Sequence, residues 1–167
     1  MNTLGNLDQS GSSNKLPNYD TNRTSLSNLS PSASVATPLS ILLAEDNHIN
    51  QKVALRVLKH LGYQADVVEN GQAVIEAIAN KSYDLILMDI QMPEMDGLEA
   101  TQYIRKQELE SQLLPIAIIA VTANATHDDQ DICRQAGMNV YISKPIQIEK
   151  LKNILRHYES LKNNQSQ

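Results

Sequence analysis

With one cysteine, Cys133, in 167 residues, the chain cannot close an internal disulfide. It has no run of Lys and Arg, and its formal net charge is -5, which argues against a partner bound through a phosphate backbone; no nucleic acid is expected. No apolar stretch approaches the roughly 18 to 20 residues of a membrane-spanning helix, so no membrane insertion is expected and any membrane association would come through a partner. The N-terminus lacks the basic and apolar regions of a signal peptide, and cytoplasmic placement follows as the expectation. What remains is an apolar content of 41% in a chain of one-domain length, enough for a single buried core.

The stretch from Met1 to Ser40 is rich in Ser, Asn, Thr and Pro, and its charged side chains are Asp8, Lys15, Asp20 and Arg23. Its apolar surface is too small to offset chain entropy. Residues 1–37 therefore read as a disordered tail or a linker from a longer protein, or equally as residues of gene-start or cloning origin. Order is expected over residues 38–161, with residues 162–167 a polar fray.

Between these tails the apolar pattern alternates. Runs at Ile41 to Ala44, Leu85 to Met88 and Ile116 to Val121 lack polar alternation and read as parallel strands buried on both faces. Two weaker strands fit at Ala65 to Val68 and Val140 to Ser143. Helical stripes follow each strand: Ile49, Val53, Val57 and Leu61; Val74, Ala77 and Ile78; Leu98, Thr101 and Ile104; a weakly patterned segment at Asp128 to Ala136; and Ile148, Leu151, Leu155 and Tyr158. The stripes are expected to face a sheet. Five such units predict an α/β fold, a doubly wound five-stranded parallel sheet with five helices in a flavodoxin-like arrangement, with the site at the carboxyl ends of the strands.

Four of the five strands end on polar chemistry. The first runs into Glu45-Asp46, the third into Asp89, the fourth into Thr122 and the fifth into Lys144-Pro145. Placing the first strand between the third and fourth would bring these groups into one pocket. Three carboxylates at about 4 Å would repel by roughly 4 kcal/mol per pair at an effective dielectric near 20. Lys144 offsets part of that, and the hard oxygen ligands favour Mg²⁺. Taken alone, Glu45 and Asp46 could simply favour the start of the next helix. A third acid and a lysine on separate strand ends weigh against that.

The spaced signatures Glu45-Asp46, Met88-Asp89-Ile90-Gln91-Met92-Pro93, Asp96-Gly97, Thr122-Ala123 and Lys144-Pro145 resemble the receiver domain of two-component response regulators. The spellings around Glu45 to Gln51, Gln91 to Gly97, Thr122 to Ala125 and Ala136 to Met138 are similar to receivers attached to hybrid sensor histidine kinases. The resemblance implies that Asp89 accepts a phosphoryl group from a histidine on a sensor histidine kinase or a histidine phosphotransfer protein. It implies Mg²⁺ held by Asp46, Asp89 and the Gln91 backbone carbonyl, with Glu45 acting largely through a coordinated water. Lys144 is the paired lysine, and its bond to Pro145 is expected to be cis. Thr122 and Tyr141 are the switch pair, although Tyr141 alone reads equally well as a core tyrosine with its hydroxyl at the rim. Gln91 and Asn124 are the positions that tune phosphate lifetime. Gly97 and Pro93 are expected to shape a sharp loop and a helix start.

The resemblance places a downstream protein on the face of the fourth helix, fifth strand and fifth helix, and makes the chain a signalling module rather than an enzyme, with no kinase of its own. His48, His60, His127 and His157 read as surface residues and Cys133 as a small packed side chain. Two other readings share the strand-end aspartate: a non-phosphorylated docking module and an aspartate-nucleophile phosphatase. The phosphatase would want a second acid where this chain has Gln91. A flavodoxin-like cofactor binder would want a phosphate-cradling loop where this chain has acids.

Overall fold

The computed structural model describes residues 38–123 and 126–165. The tail expected over residues 1–37, and Asn124, lie outside the described residues. Five strands alternate with five helices: β1 (Ile41–Ala44), α1 (His48–His60), β2 (Ala65–Val68), α2 (Gly71–Asn80), β3 (Leu85–Asp89), α3 (Gly97–Ser111), β4 (Ala117–Thr122), α4 (His127–Ala136), β5 (Val140–Ser143) and α5 (Ile148–Gln165). All pair in parallel in the order β2-β1-β3-β4-β5.

This order corrects the expected placement of the first strand between the third and fourth. A strand has two edges. β2, the strand with exposed positions at Asp66 and Val67, takes one edge of β1, and β3 takes the other, so β4 adds beyond β3. The centre of the sheet is therefore β3, and every residue of β1, β3 and β4 is buried. That is the environment in which unbroken apolar runs form parallel strands, because helices cover both faces.

Alternate residues of those strands feed two separate cores. Ile41, Leu43, Leu85, Leu87, Ile119 and Val121 pack with Ala54 and Leu58 of α1 and Leu151 and Leu155 of α5. Leu42, Ala44, Ile86, Met88, Ile118 and Ala120 pack with Val74 of α2, Ala100 and Ile104 of α3 and Cys133 of α4. The α1 stripe needs correction. Its buried residues are Ala54 and Leu58, whereas Ile49 is 72% and Val53 46% exposed. Ile148, expected on the buried stripe of α5, is likewise exposed at 43%.

Local signals explain where the helices begin. Asn47 and Asn70 cap α1 and α2 through their side-chain oxygens, and Asp96 with Glu99 and Thr126 with Asp129 form capping boxes on α3 and α4. The weakly patterned α4 is thus fixed at its start by a cap and at its end by Gly137, which sits at φ 99. α3 starts at Gly97 behind Asp96; Pro93 lies in the preceding loop rather than at the helix start.

At the other end of the molecule α5 continues to Gln165, beyond the boundary expected at Leu161. Lys162 explains the extension: its ammonium lies 2.7 Å from Asp84 Oδ2 and donates to the Pro38 carbonyl at 3.1 Å, while the same Asp84 oxygen accepts from Ser40 N at 2.7 Å. A polar side chain read as fray instead ties α5 to the entry of β1. No helix among the described residues is long and apolar enough to cross a membrane.

Candidate functional site

In a parallel sheet all carboxyl ends point the same way, so Glu45-Asp46 after β1, Asp89 on β3, Thr122 on β4 and Lys144 after β5 rim one edge. With β3 central, Asp89 has the β1 acids on one side and Thr122 on the other. Lys144 starts two strands away, about 9 to 10 Å in sheet spacing, a span suited to a long side chain. The Lys144 Nζ reaches Asp89 Oδ2 at 2.7 Å and Glu45 Oε2 at 2.6 Å. These groups line a cleft of about 420 Å³ together with Asn47, Asn50, Gln91 and Asp129. The Lys144-Pro145 bond is cis, as expected.

Glu45, Asp89 and Thr122 are buried, and Asp46 is exposed at the mouth. Burial is the strongest influence on the Asp89 carboxyl and pushes its pKa up; the Lys144 hydrogen bond and charge pull it down, the Glu45 charge raises it, and the Gln91 N–H, 3.2 Å from Oδ1, lowers it. For Lys144 burial is again the largest single influence and disfavours the ammonium, yet the hydrogen bonds and charges of Asp89 and Glu45 outweigh it and the pKa rises. Asp89 thus sits in a desolvated setting in which burial outweighs the pull of the one cation that holds it.

One carboxylate oxygen from each of Glu45, Asp46 and Asp89 can be chosen so that all lie within 4.8 Å of one another. An all-oxygen set of this size fits a hard divalent cation. Glu45 is the most constrained: besides Lys144, it accepts from Asn47 N at 3.2 Å and Asn50 Nδ2 at 3.0 Å through Oε1. Asn50, with Gln51 donating to the Glu45 carbonyl at 2.8 Å, was not singled out from sequence as a site residue. The signal was present, because a capping Asn47 places residues 50 and 51 in the first turn, facing back over the strand end.

Tyr141 lies opposite Ala120, and Thr122 opposite Ser143, so Thr122 and Tyr141 share a face of the sheet but are offset by two residues along it rather than directly adjacent. Tyr141 is half-buried against the core that includes Ala120, Cys133 and Met138. His48 stands at the start of α1, near Gln51 and Glu69 and outside the cleft lining. Gly97 packs so closely that a Cβ there would strike the Asp89 carbonyl, and its N–H bonds the Ile90 carbonyl at 2.9 Å. The helix after β3 is thereby seated directly on the Asp89 backbone.

Known proteins with this arrangement agree. Over 129 residues the chain is 41% identical to hybrid signal transduction histidine kinase L of Dictyostelium discoideum, an alignment covering 75% of this chain and 8% of that protein's length. The receiver domain of a sensor histidine kinase from Pseudomonas aeruginosa, solved with a magnesium ion in its active-site cleft, is 40% identical with a TM-score of 0.65, covering 74% of this chain and 99% of that one. A Saccharomyces cerevisiae response regulator receiver, solved with a histidine phosphotransfer protein, is 26% identical with a TM-score of 0.71, covering 75% of this chain and 92% of that one. Residues 41–156 match the response regulator receiver domain family. The acids, lysine and hydroxyl gathered around β3 are therefore set in a fold whose relatives carry the same order of elements, and the chain belongs to the receiver domains of two-component and phosphorelay signalling.

Proposed function

We propose that Asp89 accepts a phosphoryl group from a phosphohistidine on a partner sensor histidine kinase or histidine phosphotransfer protein. The observation that carries this is the buried Asp89 carboxylate with Lys144 Nζ at 2.7 Å and two further acids within reach. A carboxylate oxygen of Asp89 bonds to phosphorus as the P–N bond breaks and its electron pair returns to the imidazole; the product is an acyl phosphate. Lys144 holds the carboxylate before transfer and meets the phosphoryl oxygens after it, a point charge on a flexible stem. Asp46, Asp89 and the Gln91 carbonyl would hold Mg²⁺, with Glu45 contributing through water. When bound, the cation offsets charge on the phosphoryl oxygens.

Thr122 then bonds the new phosphate, Tyr141 turns inward behind it, and the face made by α4, β5 and α5 changes for a downstream protein. Gln91 and Asn124 set how fast water removes the phosphate. The exposed apolar residues Ile49 and Val53 on α1, beside Asn50 of the cleft lining, offer apolar surface that a donor protein could cover. The module works as a cytoplasmic signalling element whose chemistry is its own phosphorylation and dephosphorylation. The test is incubation with acetyl phosphate and Mg²⁺ followed by intact mass: one phosphoryl group adds to the parent and none to Asp89→Asn. Undiminished uptake by that variant would remove Asp89 as the acceptor.

A further inference from the structure

We infer that Lys150 is a positioning residue for the switch: its ammonium sits on the Tyr141 ring, holds that ring at the outer edge of the sheet, and so opposes phosphorylation at Asp89. This rests on the receiver reading above, in which Tyr141 is the moving part.

The geometry is specific. Lys150 Nζ lies 4.7 Å from the centroid of the Tyr141 ring, inside the reach of about 6 Å at which a ring face attracts a cation. Two layers of the fold meet in this contact. Tyr141 packs on the face covered by α2, α3 and α4, whereas α5, which carries Lys150, packs on the opposite face through Leu151 and Leu155. A side chain from one layer can meet a ring of the other only by passing round the free edge of the sheet, and β5 is that edge.

Lys150 is half-buried and, among the described residues, has neither a hydrogen bond nor an ion pair. Its neighbour Lys152 instead lies 3.4 Å from Glu149 Oε2, so the carboxylate of that turn faces another lysine. The ring is what Lys150 holds. On β4 the residue opposite Tyr141 is Ala120, whose methyl leaves the route along that face toward Thr122 free of a large side chain. A ring that moves along that route leaves Lys150 behind, because the sheet then lies between them. A contact made in one state and absent in the other biases the equilibrium toward the first.

The experiment uses the full chain with Lys150→Met, which keeps the stem and removes the charge, and Lys150→Arg, which keeps a cation. In the unphosphorylated parent, the Lys150 ε-methylene protons are expected upfield by ring current, returning to ordinary positions in Tyr141→Leu and on adding beryllium fluoride with Mg²⁺. The apparent affinity for beryllium fluoride is expected to rise roughly two- to fivefold in Lys150→Met, the range a half-exposed cation over a ring supplies. It stays at the parent value in Lys150→Arg, and Lys150→Met has no effect when Tyr141 is already Leu. Ordinary ε-methylene shifts in the parent, or equal affinities of parent and Lys150→Met, would overturn the role of Lys150. Failure of every form, parent included, to bind beryllium fluoride at Asp89 would instead strike the receiver reading.

Discussion

Glu45 and Asp46 are neighbours in sequence with different duties. Both Glu45 oxygens are taken, Oε2 by Lys144 and Oε1 by Asn47 and Asn50, whereas the exposed Asp46 carboxylate accepts no hydrogen bond among the described residues. Asp46 is thus the acid able to turn an oxygen toward a cation without breaking an existing bond, whereas Glu45, already bonded at both oxygens, would reach a cation through water. Thr122 has a separate role. A phosphate on Asp89 offers its hydroxyl a charge-assisted hydrogen bond, stronger than a neutral one. Thr122→Ala is therefore expected to leave Asp89 able to take phosphate, more slowly, while severing Tyr141 from it. Amide shifts around Tyr141, compared with and without a phosphate mimic, check this; parent-sized shift changes in the variant would exclude the hydroxyl as the link.

Elements meet around Asp89 with little slack, and Gly97 marks the tightest place. A Cβ there would lie against the Asp89 carbonyl and 2.9 Å from Met88 Cγ, so Gly97→Ala must push α3 or β3 aside. Overpacking of this kind costs about 1 to 3 kcal/mol, which urea denaturation would read as a lower midpoint, and phosphorylation would slow because Asp89 moves with its backbone. A second element junction is electrostatic. The Tyr83 hydroxyl and Lys81 both lie 2.7 Å from Asp66 Oδ2, and burial, followed by the Asp66 hydrogen bond and charge, pushes the Tyr83 phenol up to about 12. A phenol raised in the folded state favours folding below its ordinary value of 10.0 and loses that contribution as pH rises through about 12. Ultraviolet titration of Asp66→Asn should show the Tyr83 phenol ionising closer to the ordinary value, and an unmoved transition would assign the shift to burial alone.

The same element scale shows what the sequence could and could not reveal. Ile41 to Ala44 and Leu85 to Met88 were readable as strands because a strand buried on both faces must be apolar throughout. The strand ends were readable because a parallel sheet gathers them. The first half of the α1 stripe was misread: Val57 and Leu61 pack on the core as expected, but Ile49 and Val53 share their helical spacing and are exposed, because only the placement of α1 on the sheet decides where its buried side begins. Strand order was misread because pairing preferences are not written in any one segment. Nor was the brace on α4 visible: Arg105 donates to the Gly137 carbonyl and Asn139 Oδ1 and pairs with buried Glu108, which accepts from Ile116 N. That network joins residues 30 or so positions apart, and no local pattern announces it.

At the scale of the whole molecule, the site gathers three acids whose repulsion a bound cation would relieve, which would couple stability to Mg²⁺. Asp89 and Glu45 share one lysine, and Asp46 adds a third carboxylate at the mouth. Anything that binds this arrangement only in the folded chain raises folding stability, by about 2.7 kcal/mol at one hundred times its dissociation constant. For a folded region of this size each kcal/mol moves the melting temperature by roughly 3 to 5 °C, so saturating Mg²⁺ should raise it by about 8 to 13 °C. The net charge of -5 means that any salt stabilises the chain a little by screening, and the comparison is therefore made at matched ionic strength with NaCl. Asp46→Ala should melt slightly higher than the parent without Mg²⁺, having lost one repelling charge, and respond little when it is added. Lower stability at the start together with a full Mg²⁺ response in Asp46→Ala would place the cation away from these three acids, because no arrangement centred on Asp46 and Asp89 can lose one carboxylate and keep the whole of its affinity.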